Sequence, residues 1–174
     1  MDVTNTYWLD ETEMNCAMTR LYGRAFSGER VYEHVPDVRF ERISVIGALG
    51  LNGIIAPLTY SGTLDGELFK VYVKECLAPA MKKGDTLTLD NLSAHKLKDV
   101  LKPLIDKEVN IVFLPPYSYD FNPIELAWSK MKTYLRKVKA RTADALFSAI
   151  GPALNMITTD DIKGWITHCG YGLR

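Results

Sequence analysis

Three acidic residues stand where the chain pattern favours chemistry. Asp10 closes the run "TYWLD", Asp90 closes "GDTLTLD", and Glu125 follows the stiff segment "LPPYSYDFNPI". Both aspartates end β-rich apolar runs, and in an α/β sheet the strand ends are where loops and ligands converge. If the two strands are neighbours, the aspartates lie side by side, and like charges that close need a shared proton or a cation between them. Carboxylates without a His/Cys cluster are hard oxygen donors that suit Mg²⁺ or Mn²⁺ rather than zinc. With a third carboxylate, such a site holds a pair of ions about 3.5–4 Å apart, the arrangement that activates a water and stabilises the leaving oxygen in phosphodiester cleavage.

Each residue taken alone has a plainer explanation. Asn122, Pro123 and Glu125 have capping-box spacing, with Asn at the N-cap, Pro at N1 and Glu at N3, so Glu125 alone reads as a tie to its own helix start. Asp10 and Asp90 alone read as caps of the turns that follow them. His34 and His168 offer no metal spacing, His95 alone reads as a helix-face or core residue, and Trp128 as core packing. Only together do the three acids point to chemistry.

The elements that must position these acids follow from periodicity. Thr6 to Asp10 reads as a short buried strand. "RISVIGALGLNGIIAPLTY" reads as a hairpin about Asn52-Gly53, the dipeptide suited to a type I′ turn. Glu67 to Leu77 carries a helical stripe with Pro79 beyond its end. A strand from Gly84 to Asp90, a helix near His95 to Lys107 and a strand from Val109 to Leu114 then lead to the proline-rich loop. Helices are expected over Pro123 to about Val138, Thr142 to about Ile157, and Asp160 to Thr167. The strand-helix-strand units must cross over right-handed and run parallel, so the expected fold is α/β, a mixed sheet flanked by helices.

The 174 residues suffice for one domain with a substantial core. Three widely separated cysteines, Cys16, Cys76 and Cys169, indicate neither a disulfide framework nor a zinc ribbon, which suits a reducing cytoplasm. Neither a leader pattern nor an apolar membrane span is visible, so no membrane partner is expected. Charge balances at 21 basic and 21 acidic residues, which argues against indiscriminate coating of nucleic acid. The distribution is uneven: Lys130, Lys132, Arg136, Lys137, Lys139 and Arg141 follow Glu125 without an intervening acid. Such a run is either a solvated helix face or a track for a DNA backbone leading away from the acids.

The strings "WLDET", "LDNLSAHK" and "LPPYSYDFNPIELAWSKMK" occur in order, with thirty-four residues between Asp90 and Glu125. In these motifs the chain resembles the DDE transposases of bacterial insertion sequences related to the mariner superfamily. "GRAFSGERV" and "ISVIGAL" are similar to that family's hairpin region and "GWITHCGY" to its terminal helix, so the likeness spans about Tyr7 to Tyr171.

The resemblance implies an RNase H-like catalytic domain over residues 1–174 that cuts element ends with Mg²⁺ or Mn²⁺ and uses the freed 3′-hydroxyl to attack target DNA. By the same resemblance Asp10 and Asp90 share one ion, and Glu125 with one aspartate holds a second. Asn91 and His95 match the D-N-x-x-x-H string as supporting or substrate-positioning groups, with Asn122 of the N-P-I-E turn beside them. Implied partners are transposon ends, target DNA with a TA preference, a second copy of the chain, and a separate N-terminal DNA-binding portion, since no helix-turn-helix precedes the first acid. The implied location is the nucleoid-associated cytoplasm. Tyr119 departs from the pattern, standing where the family loop has a third proline. The rival readings are a stand-alone RNase H-like nuclease and a non-catalytic DNA- or partner-binding remnant.

Overall fold

The computed structural model describes residues 3–36, 42–90 and 98–172. Thr6–Met14 forms β1, Ile43–Gly50 β2, Gly53–Ser61 β3, Thr86–Leu89 β4 and Asn110–Phe113 β5. They make one mixed sheet in the order β3-β2-β1-β4-β5, with β1–β2 and β2–β3 antiparallel and β1–β4 and β4–β5 parallel. This is the α/β arrangement expected from the alternation of elements.

Every residue of β2 is buried, because both faces of the sheet are covered. On one side lie Gly66–Tyr72 (α1), a π-helical turn over Val73–Leu77, Ala78–Ala80 (α2) and Lys98–Ile105 (α3). Tyr72, Val73, Leu77, Leu101 and Leu104 pack there against Leu9, Ile46, Leu87 and Leu89. Pro79, expected beyond the helix end, lies inside α2, where the missing N–H of a first-turn proline costs nothing.

On the other side lie Ile124–Val138 (α4), Ala143–Asn155 (α5) and Thr159–His168 (α6). Ile124, Ala127, Trp128, Met131 and Leu135 form a stripe at helical spacing that packs on Trp8, Met14 and Val45. Val138, the last residue of α4, is 43% exposed. Helix α6 opens with a full capping box between Thr158 and Asp161, and Asp161 also pairs with Lys130 of α4. No helix among the described residues is long and apolar enough to cross a membrane, and the three cysteines are free thiols.

Three local expectations are corrected. First, β1 does not stop at Asp10 but runs to Met14, because Glu11 to Met14 continue the antiparallel ladder with Ile43 to Ile46. Second, the turn after Gly50 is not type I′: neither Leu51 nor Asn52 has positive φ, and Gly53 takes the unusual value of 127°. Third, "GRAFSGERV" lies outside the hairpin, in a connection between β1 and β2 that carries no helix or strand over residues 15–36. Its apolar side chains face outward, Tyr22 88% and Phe26 85% exposed, so no buried stripe organises it.

Glycine is required at position 50, where a Cβ would meet the Tyr7 ring at 2.6 Å in a fully buried strand. Gly50→Ala is expected to destabilise the chain by about 1–3 kcal/mol, as overpacking of a rigid ring does. Urea unfolding of the two chains checks this; an unchanged midpoint would contradict it.

Candidate active site

The parallel pairing of β1 with β4 ends at Leu9↔Leu89. Asp10 and Asp90 are the next residues on the two strands, so the register sets them side by side, as expected if the strands are neighbours. β4 ends there, whereas β1 continues beside β2 with Asp10 opposite Gly47. The aspartates therefore occupy a notch in the middle of the sheet. By strand alternation Asp10 shares a face with Trp8, Thr12 and Met14, the face that α4 covers.

Glu125 lies in the first turn of α4 with an exposed side chain. The expected Asn122–Glu125 capping box is not formed: α4 starts at Ile124 with no side-chain capping bond. Asn122 supplies only its backbone carbonyl to the Glu125 N–H, at 3.2 Å, while its own Oδ1 is buried without a partner. Glu125 is thus released from the structural duty its spacing suggested. The loop before it is tied from a distance. The Tyr171 hydroxyl donates to the Phe121 carbonyl at 2.7 Å, and the Tyr171 ring stands 5.1 Å from Trp8, two residues before Asp10.

The electrostatics join the three acids. The Asp10 pKa is raised to about 7, first by burial, then by the negative field of Glu125 and, more weakly, of Asp90. The Glu11 backbone N–H opposes the rise. Lys132, seven residues past Glu125 and so on the same helix face, is half-buried. Burial pushes its ammonium below the usual lysine range, while Glu125 and Asp10 pull it back up. Sequence reasoning counted Lys132 only as a DNA contact; its two-turn spacing from Glu125 was the signal that it also faces the acids.

A cleft of about 390 Å³ opens at these strand ends, with Asp10, Glu11, Asp65 and Asp90 on its walls. Among the described residues, no three His, Cys, Asp or Glu side chains are gathered tightly enough to hold a metal ion as they stand. The chemistry of the donor set nevertheless suits a hard divalent ion: three carboxylates, one pushed toward neutrality by burial and by its acidic neighbours. Beneath them Trp8 Nε1, Thr88 Oγ1 and Trp128 Nε1 are buried polar atoms without formed hydrogen bonds. Asn91 and His95 lie outside the described residues.

The basic run divides. Lys130 pairs with Asp161 and Lys139 with Glu33, while Arg141 donates to the carbonyls of Cys16 at 2.8 Å and Met18 at 3.0 Å. These three fasten α6 and the β1–β2 connection to the α4 end of the molecule. Arg136 and Lys137 instead line a shallow groove with Arg20 and Tyr22. A larger hollow, about 800 Å³, is lined by Arg20, Arg24, His34, Lys139 and Arg141 together with Glu33 and contains none of the three acids.

The sequence profile of the DDE superfamily endonucleases matches residues 5–147. The chain belongs to the DDE superfamily endonucleases. Among solved structures, this DDE superfamily chain is similar to that in the Mos1 mariner paired end complex with Mn, with a TM-score of 0.73 at 12% identity over 96% of this chain and 53% of that one. The Mos1 transposase paired-end complex with left transposon end gives 0.72 at 12% identity, over 96% and 52%. The Mos1 transposase catalytic domain with Raltegravir and Mg gives 0.62 at 10% identity, over 99% and 87%. At these identities the likeness establishes the fold, the RNase H-like mixed sheet of the Mos1 catalytic domain. The chain spans about half the length of the transposase chains in the two paired-end complexes. No match was found among curated proteins.

Because Asp10 has a higher pKa folded than unfolded, its contribution to stability is fully present below about pH 3.8 and is lost as pH rises to about 7. Asp10→Asn removes that loss. In EDTA, thermal melts from pH 4 to 8 are expected to show the variant gaining on the parent chain as pH rises; a pH-independent difference would contradict the coupling.

Proposed function

We propose that this chain is the catalytic domain of a transposase, cutting DNA phosphodiester bonds at transposon ends and joining the freed 3′-hydroxyl to target DNA. The observation that carries this reading is the side-by-side placement of Asp10 and Asp90 by parallel register, with Glu125 acting on Asp10 from α4, in a DDE superfamily chain. Asp10, Asp90 and Glu125 are the residues that would hold divalent metal, Mg²⁺ or Mn²⁺. When bound, two such ions supply an activated nucleophile and charge stabilisation for the leaving oxygen.

The chain's own residues do the rest. Burial and repulsion favour a proton on Asp10 up to about pH 7, and that proton would be given up to a bound cation. Glu125, exposed and uncapped, has the rotamer freedom to complete the set from above. Pro115, Pro116 and Pro123, with the Tyr171 tether, limit where α4 can start, and so where Glu125 can stand. Lys132 offsets negative charge at the acids and is placed to meet a phosphate oxygen. Arg136 and Lys137 continue the positive track along α4, and Lys130, Lys139 and Arg141 act on DNA only through what they leave over from their internal partners. Asn91, His95 and Asn122 support the acids. Residues 1–174 work as one catalytic unit; pairing of two ends calls for a second copy and a separate end-recognising portion.

Nicking of supercoiled plasmid with Mn²⁺ or Mg²⁺ tests the reading. Asp90→Asn and Glu125→Gln are each expected to lower the rate by at least about a thousandfold, the scale on which removing one member of a catalytic set acts. Nicking that persists in both variants, or that needs no divalent ion, would overturn it.

A further inference from the structure

Residues 20–35 of the β1–β2 connection are exposed without exception. In the stretch "RLYGRAFSGERVYEH" arginines interleave with aromatic rings, as Arg20, Tyr22, Arg24, Phe26, Arg30 and Tyr32. Tyr32 is 83% exposed, much as Tyr22 and Phe26 are. A single exposed ring is ordinary, but three so close together form a patch of the kind that a partner covers. Charge narrows the choice of partner. Among the described residues Arg20, Arg24 and Arg30 enter no ion pair, nor do Arg136 and Lys137 of α4. Glu33 is matched by Lys139, which leaves Glu29 as the other acid of residues 20–35.

The patch is continuous with the helix that starts at Glu125, because Arg20 and Tyr22 share their groove with Thr133, Arg136 and Lys137. Arg136 stands eleven residues past Glu125, roughly 16 Å along the helix, the length of about five nucleotides of one strand. A duplex brings phosphates to such a surface but hides its base faces in the stack, so it would meet the arginines and leave the rings in water. A strand with unpaired bases answers both, with phosphates on the guanidinium groups and base faces on the rings.

We propose that the β1–β2 connection is a binding surface for single-stranded DNA, with Arg20, Arg24 and Arg30 on phosphates and Tyr22, Phe26 and Tyr32 stacked on unpaired bases. The reading given above enters only through the identity of the substrate as DNA. Stacking accepts any base, so this surface holds an opened strand without reading its sequence.

The test is fluorescence anisotropy of the full chain in EDTA, with a fluorescein-labelled oligothymidylate and a mixed-sequence duplex of equal length. The parent chain is expected to prefer the single strand. Tyr22→Ala and Phe26→Ala are each expected to weaken single-strand binding about fivefold or more, at unchanged melting temperature and duplex affinity, while Tyr22→Trp retains it. 5-Iodouracil in the same oligonucleotide is expected to photo-crosslink to Tyr22, Phe26 or Tyr32. Equal binding by the alanine variants, or a parent chain that prefers duplex, overturns the stacking role. A chain that binds neither oligonucleotide overturns it as well, and self-association lost in the same variants would then name a second copy as what covers the patch. Plasmid nicking is read separately in divalent metal, so its failure leaves a measured single-strand preference standing.

Discussion

Everything at the active end of this molecule depends on one register: Leu9 opposite Leu89 in a parallel strand pair. Parallel neighbours lie about 4.8 Å apart, so the next residue on each strand brings one aspartate against the other. A sheet tolerates two carboxylates at that spacing only if a proton or a cation separates their charges. Burial keeps the proton on Asp10 near neutral pH, and Glu125 adds to the repulsion from across the sheet face. The site is therefore under electrostatic tension that a divalent ion would relieve.

The rest of the fold holds that tension in place. β2 continues beside β1 where β4 has ended, so Asp10 is anchored on one side and open on the other. Helix α4 spans the notch with Glu125 and Lys132 toward the acids and Trp128, Met131 and Leu135 in the core. Its starting point is governed from the far end of the chain, through Tyr171, which bridges the Phe121 carbonyl and the Trp8 ring. Basic residues further along α4 serve the protein's own architecture as well as any substrate, since Lys139 and Arg141 fasten the irregular β1–β2 connection.

The acids were legible in the sequence because strand ends constrain where they fall. "TYWLD" and "GDTLTLD" are apolar runs that end in a charge, but their adjacency stayed conditional, since the connection into β4 leaves from β3 and passes β2 to reach β1. The continuation of β1 was hidden, since Glu11 and Glu13 read as the end of a buried strand. In the structure, Glu11 accepts from the Tyr60 hydroxyl and Glu13 pairs with Arg42, both partners distant in sequence. The Asn122–Glu125 spacing suggested a cap that is not formed, because local pattern does not reveal that Asn122 is buried. The second role of Lys132 lay in its two-turn spacing from Glu125, but that this face of α4 meets β1 is a fact of packing.

A divalent ion held by Asp10 and Asp90 would take the place of the proton on Asp10. Anomalous diffraction from crystals of this chain soaked in Mn²⁺ tests it most directly. The expected result is a Mn²⁺ peak held by Asp10 and Asp90 at the strand ends, about 2.1 Å from carboxylate oxygen, the coordination distance of a small hard cation. A peak held elsewhere, for instance at Asp65 on the cleft wall, or no peak at the strand ends at saturating Mn²⁺, would contradict the account.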